Sequence, residues 1–223
     1  MLQRPLSALA VLAAVSLLAS CGDDGGSDQA RDPAADGPSC TYAESGEPAK
    51  DVDLPPSTAA VSGMVAGTMA TSIGDIGIEL DAATSPCTVN SFVSLADQGY
   101  FDDTTCHRLT TPEAGIQVLQ CGDPTASGMG GPGYTIEDEV TPDTTYPAGT
   151  LAMAKTLAPD SGGSQFFVVY GDTPLPPDYT VFGTIDAAGL AAVQDAAGKG
   201  TTTGAPDGEP KVAVDLESVT IKD

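Results

Sequence analysis

Between residues 65 and 221 the apolar residues come in short alternating runs broken by Gly and Pro. That rhythm restricts the chain to a mainly antiparallel β fold. Met69, Thr71 and Ile73, then Ile76, Ile78 and Leu80, alternate around Gly74-Asp75, the pattern of a β-hairpin. Short strands are predicted over 105–109, 117–120, 150–153, 165–169 and 181–185, with a last, kinked strand from 211–214 and 217–221. Two helices interrupt them. The first has Thr84 or Ser85 as cap and Pro86 in its first turn, a stripe of Val89, Phe92, Val93 and Ala96, and a left-handed stop at Gly99. The second is predicted over 187–196, capped by Asp186 and stopped by Gly198. No strand–helix–strand rhythm appears, so the sheet is expected to close on itself as an antiparallel barrel.

The N-terminus is an address rather than a folded element. After Arg4, residues 5–20 are uncharged and their core, LSALAVLAAVSLLA, is strongly apolar. The run is shorter than the roughly 20 residues that span a bilayer, so residues 1–20 read as a secretory signal peptide. It closes with Leu18-Ala19-Ser20-Cys21, which resembles a bacterial lipoprotein processing box. That resemblance implies lipidation of Cys21 and an anchor on the extracytoplasmic face of a bacterial membrane, with ordinary signal cleavage nearby as the alternative. From Gly22 to Ser39 there is almost nothing apolar to bury. The expected organisation is a flexible acidic tether over 21–63 and a single domain over 64–223.

Five cysteines are an odd number for an exported protein. With Cys21 taken by lipid, Cys40, Cys87, Cys106 and Cys121 suffice for two disulfide bonds outside the cell, and all three connectivities stay open. Cys106 and Cys121 fall on neighbouring predicted strands, although joining them needs a bulge or a strand-end twist. Cys40 with Cys87 would tie the start of the domain to its first helix. There is no CxxC pair and His107 is the only histidine, so no metal site is expected. The formal net charge of -23 repels nucleic acid and anionic headgroups, which excludes nucleic-acid partners. A monomer is expected.

Against this acidic background Arg108 stands out, since only Lys155, Lys199, Lys211 and Lys222 follow it as bases. Alternation puts Arg108 on one side of its strand and His107 and Leu109 on the other. Val118 and Gln120 share a face of the next strand, as do Gln165 and Phe167 of GSQFFVV. Together they predict a shallow apolar floor rimmed by amides and one guanidinium. His107 is expected to point inward as a buried, hydrogen-bonded core residue. Glu137, Asp138 and Glu139 read as a solvated loop rather than an acid–base pair. In 128–133 no lysine follows and no helix begins, so the glycines there predict a turn with positive φ and not a phosphate loop.

The segments TSIGDIGIEL, SPCTVNSFVSLADQGYFDDTTCHRL, QVLQCGDPTASGMGGPGYTIEDE, GTLAMA, SGGSQFFVV and YTVFGTI occur in that order over 71–185. With these motifs the chain resembles the cyclophilins, the cyclosporin-binding type of peptidyl-prolyl cis-trans isomerase. The resemblance implies a closed eight-stranded antiparallel β-barrel capped by two α-helices, binding proline-containing polypeptides on its outer face without a cofactor. It implies Arg108 as the catalytic arginine and Gln120 and Gln165 as substrate-positioning amides. Val118, Phe167 and Leu175 become walls of the proline pocket, and Ala154 and Lys155 line the adjacent groove. Tyr179 falls where the eukaryotic pattern has a histidine.

Three positions depart from the family pattern. Gln117 replaces a phenylalanine, which predicts a less greasy pocket; Lys155 replaces an asparagine; and Pro174 replaces the tryptophan linked to tight cyclosporin binding, which predicts weak binding of that drug. An isomerase aiding the folding of exported proteins is therefore expected. The alternatives are a proline-peptide-binding chaperone module with little or no catalysis, which the three departures favour, and a purely structural surface lipoprotein.

Overall fold

The computed structural model describes residues 37–222. The signal peptide and the lipidation expected at Cys21 lie outside the described residues. In chain order the elements are β1 (Tyr42–Glu44), β2 (Met64–Thr71), β3 (Ile76–Asp81), α1 (Pro86–Asp97), β4 (Thr104–Thr105), β5 (Arg108–Thr110) and β6 (Val118–Cys121). They continue with β7 (Tyr134–Ile136), β8 (Thr150–Met153), β9 (Phe166–Val169), β10 (Val181–Ile185), α2 (Ala187–Ala197), β11 (Asp207–Gly208) and β12 (Asp215–Ile221). Ten strands form one sheet in the order β11-β5-β6-β9-β8-β10-β3-β2-β12-β4, and β1 pairs separately with β7. The hairpin expected around Gly74-Asp75 is β2–β3, with Met69 opposite Ile76.

The strand predicted over 105–109 is two strands. β4 pairs with β12 at one end of the ladder, whereas β5 pairs with β6 and β11 near the other. Cys106 and His107 make the crossing, and the Cys106 N–H donates to the Val214 carbonyl at 2.9 Å. The sheet therefore curls until its ends meet at a two-residue link. Among the described residues the fold is mainly β with two α-helices, as expected. It differs from a closed eight-stranded barrel in that no ladder of hydrogen bonds bridges β4 and β5. The break also resolves the disulfide geometry: Cys106 sits beyond the end of β5, free of strict alternation, and is bonded to Cys121. Residues 211–214 are not strand; β12 begins at Asp215 and carries its irregularity between Leu216 and Ser218.

The pleat sorts the side chains. Leu119, Cys121, Leu151, Met153, Phe166 and Val168 face the main core, where Phe92 of α1 lies with its ring centroid 5.0 Å from Phe101, 5.5 Å from Phe166 and 5.2 Å from Phe182. Val118, Ala152, Phe167 and Val169 face outward into a second, smaller apolar cluster with Tyr146. α1 buries Val89, Phe92 and Ala96 as predicted, while Val93 is only half-buried. The Ser85 hydroxyl donates to the Val181 carbonyl instead of capping the helix. The cap comes from Glu139, whose two carboxylate oxygens accept from the N–H groups of Cys87 at 3.0 Å and Thr88 at 2.8 Å. Asp138 accepts from Lys155 Nζ at 2.6 Å, with both side chains mostly buried. Glu137 is exposed as expected, but Asp138 and Glu139 are bound structure rather than solvated loop, because their carboxylates meet an ammonium and a helix N-terminus that the sequence does not show to be near.

The tether assigned to 21–63 is likewise corrected in its second half. Residues 37–63 lie on the domain, held by the Cys40–Cys87 disulfide, by β1 against β7, and by Asn90, which accepts from the Ala60 N–H and donates to Tyr42 Oη and the Pro56 carbonyl. These backbone groups find partners despite a composition poor in apolar residues. The closed loop spans 47 residues, for which the chain-entropy account gives about 4 kcal/mol of stabilisation. The double substitution Cys40→Ser with Cys87→Ser should lower unfolding free energy by up to about that amount in urea titration. It should also expose residues 41–50 to limited proteolysis while the rest of the domain stays resistant.

Candidate active site

The outward face of the pleat aligns one rung across five strands. Arg108 on β5 lies opposite Gln120 on β6, Gln120 opposite Phe167 on β9, Phe167 opposite Ala152 on β8, and Ala152 opposite Val181 on β10. One rung away, Val118 lies opposite Val169. The floor is therefore apolar at its middle and polar toward β5, without any loop having to bring the parts together.

Arg108 donates from Nη1 to Gln120 Oε1 at 3.1 Å. Its other fork is occupied by a residue that sequence reasoning missed: Asp207 of β11 accepts from Nε at 2.8 Å and from Nη2 at 2.7 Å. Gln120 Nε2 donates onward to Gln165 Oε1 at 2.8 Å, and Gln165 Nε2 donates to the Gly130 carbonyl at 2.9 Å. This chain fixes which way each amide points, because oxygen and nitrogen alternate along it. The carboxylate beside Arg108 raises the guanidinium pKa further, and the guanidinium in turn lowers that of Asp207.

A cavity of about 170 Å³ is lined by Arg108, Ile116, Val118, Gln120, Ala154, Lys155, Phe167, Leu175 and Tyr179. Of the catalytic and substrate-binding residues that the resemblance implies, it brings together all but Gln165, which stands beside Gln120 in a neighbouring hollow of about 380 Å³. Tyr179 packs edge-on against Phe167 at 5.4 Å. Its backbone is held by buried Tyr146, whose hydroxyl accepts from the Tyr179 N–H at 2.9 Å. Gln117 does not make the cavity polar. Its amide donates to the Asp172 carbonyl at 3.2 Å, outside the lining, and Ile116 supplies an apolar wall instead. Pro174 is exposed and outside the lining. The Lys155 ammonium is pinned by Asp138 at the cavity edge. Neither Ile116 nor Tyr146 carries a sequence signal that separates it from ordinary core.

The loop that presents Gly130 is organised by Asp123, which is fully buried. Burial pushes its carboxyl up, but hydrogen bonds from the Thr125 hydroxyl and from the N–H groups of Gly130, Thr125 and Gly128 outweigh that and bring it down to about 2. Gly128 and Gly133 have the positive φ that the sequence predicts for this turn. His107 departs from expectation in part. It is half-buried overall and faces the turn at Gly128; both ring nitrogens are buried, but neither has a hydrogen-bond partner among the described residues. The break between β4 and β5 places it on the link rather than in a ladder. Burial lowers its pKa, opposed by Asp123 and aided by Arg108.

Residues 67–221 match the family described as cyclophilin type peptidyl-prolyl cis-trans isomerase/CLD. The chain belongs to this family. It is 46% identical over 198 residues to the probable peptidyl-prolyl cis-trans isomerase B of Mycobacterium leprae, covering 82% of this chain and 66% of that one. The Mycobacterium tuberculosis protein of the same description shows 46% identity, with 82% and 64% covered. The chain thus spans about two thirds of the length of these relatives. Two crystal structures of a cyclophilin type peptidyl-prolyl cis-trans isomerase from Cryptosporidium parvum share the fold. One has a TM-score of 0.64 at 27% identity, covering 72% of this chain and 98% of that one. The other, determined in the presence of the dipeptide Ala-Pro, has a TM-score of 0.61 at 26% identity, covering 71% and 99%.

The depressed Asp123 carboxyl ties stability to pH. An ordinary aspartate has a pKa of 3.8, against about 2 here. At about 1.4 kcal/mol per pH unit, the ionised form contributes about 2 kcal/mol. Because the folded pKa is the lower one, that contribution is present above pH ~4 and is lost as the pH falls toward ~2. Asp123→Asn should cost about 2 kcal/mol at neutral pH and flatten the stability profile over this acid range, read by denaturant titration at several pH values.

Proposed function

We propose that this chain is a peptidyl-prolyl cis-trans isomerase that accelerates rotation about X-Pro bonds in exported polypeptides, helping them fold outside the cytoplasm. The observation that carries the reading is the Arg108 guanidinium, held 3.1 Å from Gln120 at the rim of a cavity floored by Val118 and Phe167. Family membership and a solved relative determined with Ala-Pro support it.

The chemistry follows from the bond. Partial double-bond character of the prolyl amide sets a barrier of roughly 18–20 kcal/mol. Twisting the amide localises the nitrogen lone pair, which then accepts a hydrogen bond that the planar amide accepts poorly. An arginine N–H placed over that nitrogen stabilises the twisted state more than the planar one, and differential stabilisation lowers the barrier. Val118, Phe167, Ile116 and Leu175 hold the pyrrolidine ring, Gln120 fixes the carbonyl, and Ala154, Lys155, Gln165 and Tyr179 border the extended substrate. No proton changes owner, so the reaction needs no acid–base pair.

Arg108→Ala should reduce kcat/KM for a proline tetrapeptide about a hundredfold, the scale for losing one donor aimed at developing charge, with Tm unchanged. Wild-type protein that binds the peptide without accelerating its exchange would favour the chaperone-module reading instead. In the same assay cyclosporin should inhibit weakly, since Pro174 offers no indole; tight inhibition would contradict that.

The same proposal places the protein on the extracytoplasmic face of a bacterial membrane, anchored through Cys21. It is supported by the apolar segment 5–20 ahead of that cysteine and by two disulfide bonds, which persist in oxidising compartments. Mass spectrometry of the membrane fraction should find a diacylated N-terminal Cys21, and Cys21→Ala should release the protein; unlipidated membrane-bound protein would overturn the anchor.

A further inference from the structure

We propose that Asp207 is a positioning residue for the isomerisation, acting by clamping the Arg108 guanidinium in the orientation that serves the prolyl nitrogen. The inference rests on the isomerase reading and concerns a residue of β11 that does not line the cavity.

The donor count supports it. A guanidinium has five N–H groups. Here two go to the Asp207 carboxylate and one to Gln120, which leaves one on each terminal nitrogen for a substrate. An unclamped arginine on a half-exposed strand end would sample many rotamers, because its side chain is long and its rim position is open to water. The bidentate contact selects one rotamer, and it does so from a strand registered on the arginine's own strand: Asp207 lies opposite Thr110 and Gly208 opposite Leu109. A further backbone bond, from the Thr111 N–H to the Pro206 carbonyl at 2.8 Å, fixes the approach to β11. The clamp is thus built into the sheet. It also sets the polarity of the wire beyond it, since Arg108 Nη1 can only donate to Gln120, which makes Gln120 present its Nε2 to Gln165.

The carboxylate has an opposing effect, because it offsets some of the positive charge that stabilises the twisted amide. That effect is small here. The Arg108 and Asp207 side chains are 39% and 50% exposed, so water and salt screen their charges from the cavity. Geometry is not screened, and a displacement of about 1 Å in a catalytic group can cost a hundredfold. Positioning should therefore dominate.

The test compares wild type with Asp207→Ala, Asp207→Asn and Asp207→Glu on a proline tetrapeptide, using NMR exchange spectroscopy at saturation to separate on-enzyme cis/trans rate from Kd. Asp207→Ala should lower the on-enzyme rate about tenfold with Kd changed less than about twofold. Asp207→Asn should fall between, because its amide nitrogen cannot accept from Arg108, and Asp207→Glu should recover part of the rate. The Arg108 Nε–H resonance should be sharp and slowly exchanging in wild type and lost in Asp207→Ala. Unchanged or faster exchange in Asp207→Ala, or a loss confined to Kd or Tm, overturns the proposal. An inactive wild type would sink the isomerase reading itself, and the Arg108 resonance then decides alone: a broad, fast-exchanging signal in wild type refutes the clamp.

Discussion

The pleat of four neighbouring strands governs everything else in this molecule. On β5, β6, β8 and β9 alternate residues point to opposite sides, so one set fills the barrel-like core and the other composes the cavity. Phe166 and Phe167 are adjacent in sequence yet belong to two different apolar clusters. A shift of register by one residue would exchange them and destroy both at once. The core thereby enforces the site: burying Leu119, Phe166 and Leu151 inward obliges Gln120, Phe167 and Ala152 to share the outer rung.

On that rung the polar groups form a connected system instead of isolated donors. From Asp207 through Arg108, Gln120 and Gln165 to the Gly130 carbonyl, each group has a defined partner. The Gly130 N–H then donates to Asp123 at 3.0 Å, so a carboxylate stands at each end. Such a chain has few alternative arrangements, since reversing one amide would set donor against donor. It can therefore hold the residues around a small cavity without rigid packing against all of them.

Much of this was legible in the sequence because the relevant signals are local. Alternation around Gly74-Asp75 gives the β2–β3 hairpin, and Pro86 with Gly99 brackets α1. The strands of GTLAMA, GSQFFVV and YTVFGTI are found within a residue of their predicted bounds. The face shared by Arg108, Val118, Gln120 and Phe167 follows from period two once the strands are known. Reading failed where partners are distant. Nothing local marks the break between Thr105 and Arg108, because a long run of strand-forming residues looks the same whether it stays in one ladder or crosses to another.

The chain's own residues determined the fold class, the polar and apolar faces of each strand, and a single arginine, Arg108, in the sequence beyond residue 31. Those properties depend on near neighbours and on the fixed geometry of the pleat. Tertiary structure alone decided that Asp207, among 31 acidic residues, meets Arg108, that Glu139 caps α1, that Ile116 replaces Gln117 in the cavity wall, and that residues 37–63 lie on the domain. Charge and polarity say that each such group needs a partner. Only the curl of the sheet, which joins segments a hundred residues apart in sequence, selects which partner it gets.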